Sequence, residues 1–357
     1  MTMRRSLGTA TASPRLGAMA RLAVDATAVA PGAKGIGRVA RGTVEALAAR
    51  GVDVVALVQD GVELAAPTQV VRARPAVLWE QAGLRRAGRE HGAVLTFTER
   101  LPVAARGRFV VWLYELPHRR LARSRGLYQL GSDLVTRALW KRSLREAWRV
   151  AAGSKATAAE LEAALPELGG RVTIVYPGLG AEFTPGEGPG GARYVLHLGS
   201  TDPRDNTETA LAAFAQARAR TAEAVRLVVA GGARGPAQDG VEFRGRVSDD
   251  ELVRLYRGAA AYLDASLFEG FGYQALEALA CGAPYVGSNA TSLPEIVGDA
   301  GLLVDALDAE AMAAALVRVL EEPGLAEELR HRGLERARQF TWERTAAALL
   351  PLLDEPS

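Results

Sequence analysis

An α/β fold in two parallel-sheet halves is predicted for this chain by three observations. Apolar runs of strand length alternate with helical patterns, as parallel strands covered on both faces require. A stretch dense in glycine and proline, PGLGAEFTPGEGPGGARY, breaks that alternation just after Tyr176. The 357 residues also exceed what one ordinary core supports.

The first series of strands is expected at 22–28, 52–58, 93–97, 109–114 and 149–152, and the second at 194–198, 226–230, 241–243, 261–265, 284–287 and 302–304. A helix is expected over 36–50 and a long basic one over 131–147. Trp140, Leu144 and Trp148 recur at helical spacing and read as the core face of the basic one. The closing FTWERTAAALLPLL is an amphipathic helix with Thr341 as its N-cap. The expected division is a flexible tail at 1–20, a first Rossmann-like domain at 21–175, a linker at 176–192, a second Rossmann-like domain at 193–338 and a final helix at 339–357.

At 48% hydrophobic and 24% charged residues, the composition is that of an ordinary globular protein. No run approaches the roughly 18 to 20 apolar residues of a membrane-spanning helix, and the first residues form no signal peptide, so a cytoplasmic location is expected. The single Cys281 excludes an internal disulfide and suggests no zinc site; its alanine-rich helical surroundings point to a buried, inert thiol.

The net charge of +2 is unevenly divided. Residues 1–175 carry 27 basic and 14 acidic side chains, and residues 176–357 carry 16 and 27. The two halves therefore expect different partners. Between Arg119 and Arg149 nine basic residues face two acidic ones, a pattern suited to an anionic membrane surface, to a phosphorylated acceptor, or simply to solvent. No nucleic-acid motif appears and aromatic residues are few, so nucleic acid is not an expected partner.

The most specific segment is 267–305, LFEGFGYQALEALACGAPYVGSNATSLPEIVGDAGLLVD. Gly270 and Gly272 permit close backbone approach, and a helix beginning near Tyr273 would aim free amides and its positive dipole end at an anion such as phosphate. Glu277 lies one turn into that helix, where its carboxylate leans back toward the same mouth and can accept from a diol.

The E-x7-E pair Glu269 and Glu277 around GFG, followed by EALACG-x-P and S-x-LPE-x-VGDAGLLVD, resembles the donor-binding signature of family 4 glycosyltransferases. These are retaining enzymes of GT-B architecture, with two Rossmann-like domains facing each other across a cleft. The resemblance covers the chain from Leu22 onward. It implies that Glu277 binds the ribose hydroxyls of a nucleotide sugar, that Glu269 acts catalytically beside the donor sugar, and that Gly270, Phe271 and Gly272 offer backbone amides.

Other segments are matched through the same resemblance. LGSTDPRDNT, 198–207, corresponds to the first donor-domain loop, where relatives often carry a basic pair; here Ser200 and Asp205 stand in those places and only Arg204 is basic. Gly245, Arg246 and Val247 correspond to the nucleobase loop, although Ser248 and Glu251 there also form a plain capping box. Asn206 is expected to cap the helix that follows it. In the first half, PGAKGIGR, 31–38, brings Gly35 and Gly37 to the donor phosphates, with Lys34 and Arg38 on the acceptor side. WLYELPHRR, 112–120, places Tyr114 and Glu115 where relatives have His-Asp, with His118 three residues on either supplying a catalytic imidazole near the sugar or standing as a solvated loop histidine.

The implied activity is transfer of a sugar from a nucleotide-sugar donor to an acceptor hydroxyl, on a glycan, lipid-linked or small-molecule acceptor, with retention and without metal or bound cofactor. It fits cell-surface glycan, glycolipid or polysaccharide synthesis, with the protein in the cytoplasm or peripheral at the inner membrane face. The replacements at Ser200, Asp205, Tyr114 and Glu115 keep a second expectation open, a catalytically weakened protein that binds nucleotide or glycan as a partner subunit. A glycosidase pair fits less well, because two carboxylates eight residues apart at one helix mouth suit clamping better than flanking a sugar ring.

Overall fold

The computed structural model describes residues 21–30, 35–72, 74–116, 127–235 and 237–353. Lys34 and His118 lie outside the described residues.

Two all-parallel sheets form the frame. The first contains β1 (Leu22–Asp25), β2 (Val54–Val58), β3 (Thr68–Val70), β4 (Ala93–Thr96), β5 (Arg108–Leu113), β6 (Arg149–Ala152) and β7 (Val172–Ile174), in the order β3-β2-β1-β4-β5-β6-β7. The second contains β8 (Tyr194–Gly199), β9 (Arg226–Gly231), β10 (Val241–Gly245), β11 (Ala261–Asp264), β12 (Tyr285–Ser288) and β13 (Gly301–Val304), in the order β10-β9-β8-β11-β12-β13. In each sheet the order reverses beside the first strand, between β1 and β4 and between β8 and β11. Open α/β sheets bind ligands at that reversal, outside the carboxyl ends of the strands.

The central strands are buried along their whole length, which is why they read as continuous apolar runs. Two strands escaped the sequence reading, β3 and β7, each of three residues at a sheet edge and only partly covered. An edge strand pairs on one side only, so it needs neither length nor an apolar run. β1 is shorter than expected because the Asp25 carboxylate accepts from the amide and hydroxyl of Thr27, at 3.3 and 2.7 Å, and turns the chain.

The basic helix runs over Leu127–Glu146 and ends before Trp148. Leu144 is fully buried and Trp140 packs beside it, but Trp148 leads into β6 and packs against a different core cluster, so the three do not share one helical face. The helix Trp342–Leu353 begins with Thr341 Oγ1 accepting from the Arg344 amide at 3.3 Å. It buries Ala346, Leu349, Leu352 and Leu353 against β1 and the helix Ile36–Ala49 of the first half. Each buried leucine contributes about 1.5–3 kcal/mol.

Candidate functional site

The carboxyl ends of β1, β5, β8 and β11 converge on a cleft between the sheets. A cavity of 360 Å³ there is lined by Gly35, Arg38, Tyr114 and Glu115 from the first half and by Arg204, Asp205, Glu269, Gly270, Phe271, Gly272 and Glu277 from the second. A wider cavity of 1360 Å³ continues from it along the second sheet and is lined by Ser200, Gly245, Arg246 and Val247. Asp205 and Gln274 border both. Residues nominated from distant segments are thus brought to one place.

The turn before the helix Tyr273–Cys281 is shaped by Gly272, whose φ of 101° lies in the left-handed region open to glycine, and no side-chain cap bond closes the helix start. Gly270 serves a different approach from the one expected. A β-carbon there would lie 2.2 Å from the Tyr114 carbonyl oxygen, so the backbone it admits belongs to the first half.

Glu277 is buried, at 5% exposure, and is engaged on both oxygens. Oε1 pairs with Arg38 Nη1 from the first half, and Oε2 accepts from the Tyr256 hydroxyl at 3.2 Å. Arg38, expected on the acceptor side, is therefore bound to the Glu277 carboxylate of the second half.

Glu269 is fixed by its backbone. Its amide donates to Thr291 Oγ1 at 2.9 Å, and its carbonyl accepts from Thr291 Oγ1 and Ser292 Oγ, each at 2.9 Å. Thr291 holds a positive φ of 49°, unusual for a β-branched residue, and this turn is what presents its hydroxyl. Burial together with the nearby Asp264 and Asp205 carboxylates pushes the Glu269 carboxyl up to about 8, against the opposing pull of Arg204. At neutral pH it is mainly protonated and can donate as well as accept.

The loop after β8 is closed on itself. The Ser200 amide donates to Asp205 Oδ2 at 2.7 Å, and Ser200 Oγ accepts from the Asp202 amide at 3.0 Å. Arg204 donates from Nη1 to Glu115 Oε2 at 2.6 Å and from Nη2 and Nε to Asp202 Oδ2 at 3.3 and 3.4 Å. Its guanidinium also lies 5.5 Å from the Phe268 ring centre.

Three expectations are corrected. Gly37 lies buried in the helix Ile36–Ala49 and lines neither cavity, because one residue past the helix start the backbone has turned into the core. Tyr114 reaches the cleft, yet its hydroxyl is buried with no hydrogen-bond partner among the described residues, its ring packed on Trp112 at 5.4 Å. It cannot offer that hydroxyl to an acceptor. Asn206 precedes the helix Thr207–Arg218 but makes no capping bond; Nδ2 donates to the Ala265 and Ala306 carbonyls at 3.1 and 2.9 Å, tying three loops together.

The sequence reading passed over Thr291 and Gln274. Both lie inside segment 267–305, and Gln274, accepting from the Tyr262 hydroxyl at 2.9 Å, is a polar residue in the first turn of a cleft-facing helix, a signal that was legible.

With this geometry in view, residues 192–322 match the family described as Glycosyl transferases group 1. That segment is a group 1 glycosyltransferase domain. The matched range holds the loop after β8, residues 245–247 and the glutamate pair. The O-antigen chain mannosyltransferase B of Escherichia coli is 36% identical over 162 residues, which span 42% of this chain and 42% of that protein. Sucrose-phosphate synthase from Thermosynechococcus elongatus superposes with a TM-score of 0.74 at 23% identity, covering 93% of this chain and 98% of its own. Anabaena HepE in complex with UDP-glucose superposes with a TM-score of 0.68 at 17% identity, covering 93% and 99%. Together with the two facing sheets, these likenesses give the glycosyltransferase domain and its partner sheet the GT-B architecture.

Proposed function

We propose that the protein transfers a sugar from a nucleotide-sugar donor to an acceptor hydroxyl, in the synthesis of a cell-surface glycan, glycolipid or polysaccharide. The observation that carries this reading is the convergence of Glu269, Glu277 and the open helix start at Gly272 on a cleft walled by both sheets. The O-antigen mannosyltransferase and the UDP-glucose complex among its likenesses support it.

In this reading Glu277 takes the ribose diol, the nucleobase lies in the wider cavity along Gly245, Arg246 and Val247, and the diphosphate meets Arg204, Arg38 and the amides of Gly272 and Tyr273. Such preorganised donors act on the charge that develops as the leaving group departs. Glu269 holds the donor sugar. The anomeric carbon–oxygen bond to phosphate breaks, the acceptor oxygen bonds to that carbon on the same face, and the acceptor proton passes to a phosphate oxygen. Retention follows, with no metal or bound cofactor required.

Among the described residues no helix is long and apolar enough to cross a membrane. The basic stretch of the first half is a candidate contact for an anionic inner membrane face, although Arg142 and Arg145 are already paired with Glu146 and Glu167.

Incubating the protein with nucleotide sugars and with glycan or lipid-linked acceptors should give transfer, or slow donor hydrolysis when acceptor is withheld. Absence of turnover together with absence of nucleotide binding overturns the reading. Binding without turnover selects the second reading, a nucleotide- or glycan-binding partner subunit, which the Asp205 carboxylate beside the expected phosphates favours.

A further inference from the structure

Both arginines that line the smaller cavity are held by a carboxylate from the opposite half. Arg38 of the first half is paired with Glu277 of the second, and Arg204 of the second with Glu115 of the first. The two pairs cross the cleft in opposite senses. The cations an incoming anion needs are therefore both engaged by carboxylates, and the one on Arg204 is set just past the end of β5.

We propose that Glu115 is an internal anion that occupies the phosphate position on Arg204 and must be displaced by the diphosphate of the donor. This deepens the transferase reading and rests on it for the choice of displacing ligand.

Three features carry the inference. Arg204 does not depend on Glu115 for its position, because Asp202 accepts from Nε and Nη2, the Phe268 ring centre lies 5.5 Å from the guanidinium carbon, and the Arg204 carbonyl accepts from the Leu267 amide at 2.7 Å. Removing Glu115 thus frees Nη1 on a guanidinium that stays in place. The pair is only partly buried, with side-chain exposures of 28% for Arg204 and 20% for Glu115, so a solvated phosphate can reach and exchange for it. Glu115 also follows Tyr114, whose carbonyl abuts Gly270, so the carboxylate reaches Arg204 from two residues past the end of β5, beside a close contact between the two halves.

The test compares the wild type with Glu115→Gln and Glu115→Asp, each titrated calorimetrically with UDP, GDP and inorganic pyrophosphate. Glu115→Gln should bind pyrophosphate and the matching nucleoside diphosphate about two- to fivefold more tightly than the wild type, the range expected when a partly exposed competing pair is removed. Glu115→Asp, which withdraws the carboxylate by one methylene, should fall between. Should the glutamine variant not fold, the aspartate variant must still show the tighter binding.

Unchanged or weaker binding in the folded variants overturns the proposal, and it leaves the transferase reading standing if the wild type binds a nucleoside diphosphate. Tighter pyrophosphate binding without nucleoside diphosphate binding in any of the three supports the internal anion and removes the transferase reading. No binding of any probe overturns both.

Discussion

The α-carbon of Gly270 rests against the carbonyl oxygen of Tyr114, so that a β-carbon on Gly270 would stand 2.2 Å from it. The Thr157 hydroxyl bridges the same two residues, at 2.7 Å from the Tyr114 carbonyl and 3.3 Å from that of Gly270. The turn at 270–272 of the second half is therefore seated directly on the residue that follows β5 of the first.

Gly270→Ala should push these two backbones apart by about 1 Å. A displacement of that size near reacting groups costs roughly a hundredfold in turnover. Steady-state kinetics should show the loss mainly in kcat, and a variant within twofold of the wild type would mean the contact does not set the geometry.

Glu277→Gln removes the charge that balances Arg38, whose side chain is only 15% exposed. Breaking such a pair from one side costs about 3 kcal/mol, because the remaining charge is left buried. Adding Arg38→Met should restore much of the stability measured by urea unfolding without restoring nucleotide affinity. Recovery of affinity in the double variant would show that Glu277 is only a structural partner.

Stability should fall as pH rises through the range in which Glu269 and Glu80 titrate. Unfolded, each carboxyl titrates near its ordinary 4.5; folded, burial and the neighbouring Asp264 and Asp205 carboxylates raise Glu269 to about 8, and burial raises Glu80 to about 7. The native state keeps protons that the unfolded chain has released, so this stability is complete below 4.5 and is lost as pH rises through the folded values. In Glu269→Gln the upper part of that decline should vanish, leaving the part that Glu80 supplies. Urea midpoints measured at about pH 6 and about pH 9 check this, and an unchanged decline in the variant contradicts it.

Asp205→Asn keeps an oxygen for the Ser200 amide, which now donates to Asp205 at 2.7 Å, while removing a negative charge from the border of both cavities. Nucleoside diphosphate affinity should rise by about three- to tenfold. Equal affinities in calorimetry would show that the carboxylate does not face the bound phosphates.

Cys281 is buried, and burial pushes its thiol up to about 12. The folded protein should leave a disulfide reagent unreacted over minutes, and full reaction should appear only with unfolding in urea. Fast reaction without denaturant would place Cys281 on an opening segment.

The sequence alone determined the two parallel-sheet halves, the turn at 270–272 with its glutamate pair, and the capping of the last helix. These depend on interactions within a few residues, such as apolar runs long enough for a buried strand, a glycine at positive φ, or a hydroxyl beside a helix start. The short edge strands β3 and β7 left no such trace, since pairing on one side asks little of side chains. Only the tertiary structure decided which charges meet. Arg38 and Glu277 lie 239 positions apart, and Arg204 and Glu115 lie 89 apart, with no pattern along the chain to mark either pairing. Coulomb attraction selects partners by distance in space, and that distance exists only after the two sheets have closed on each other.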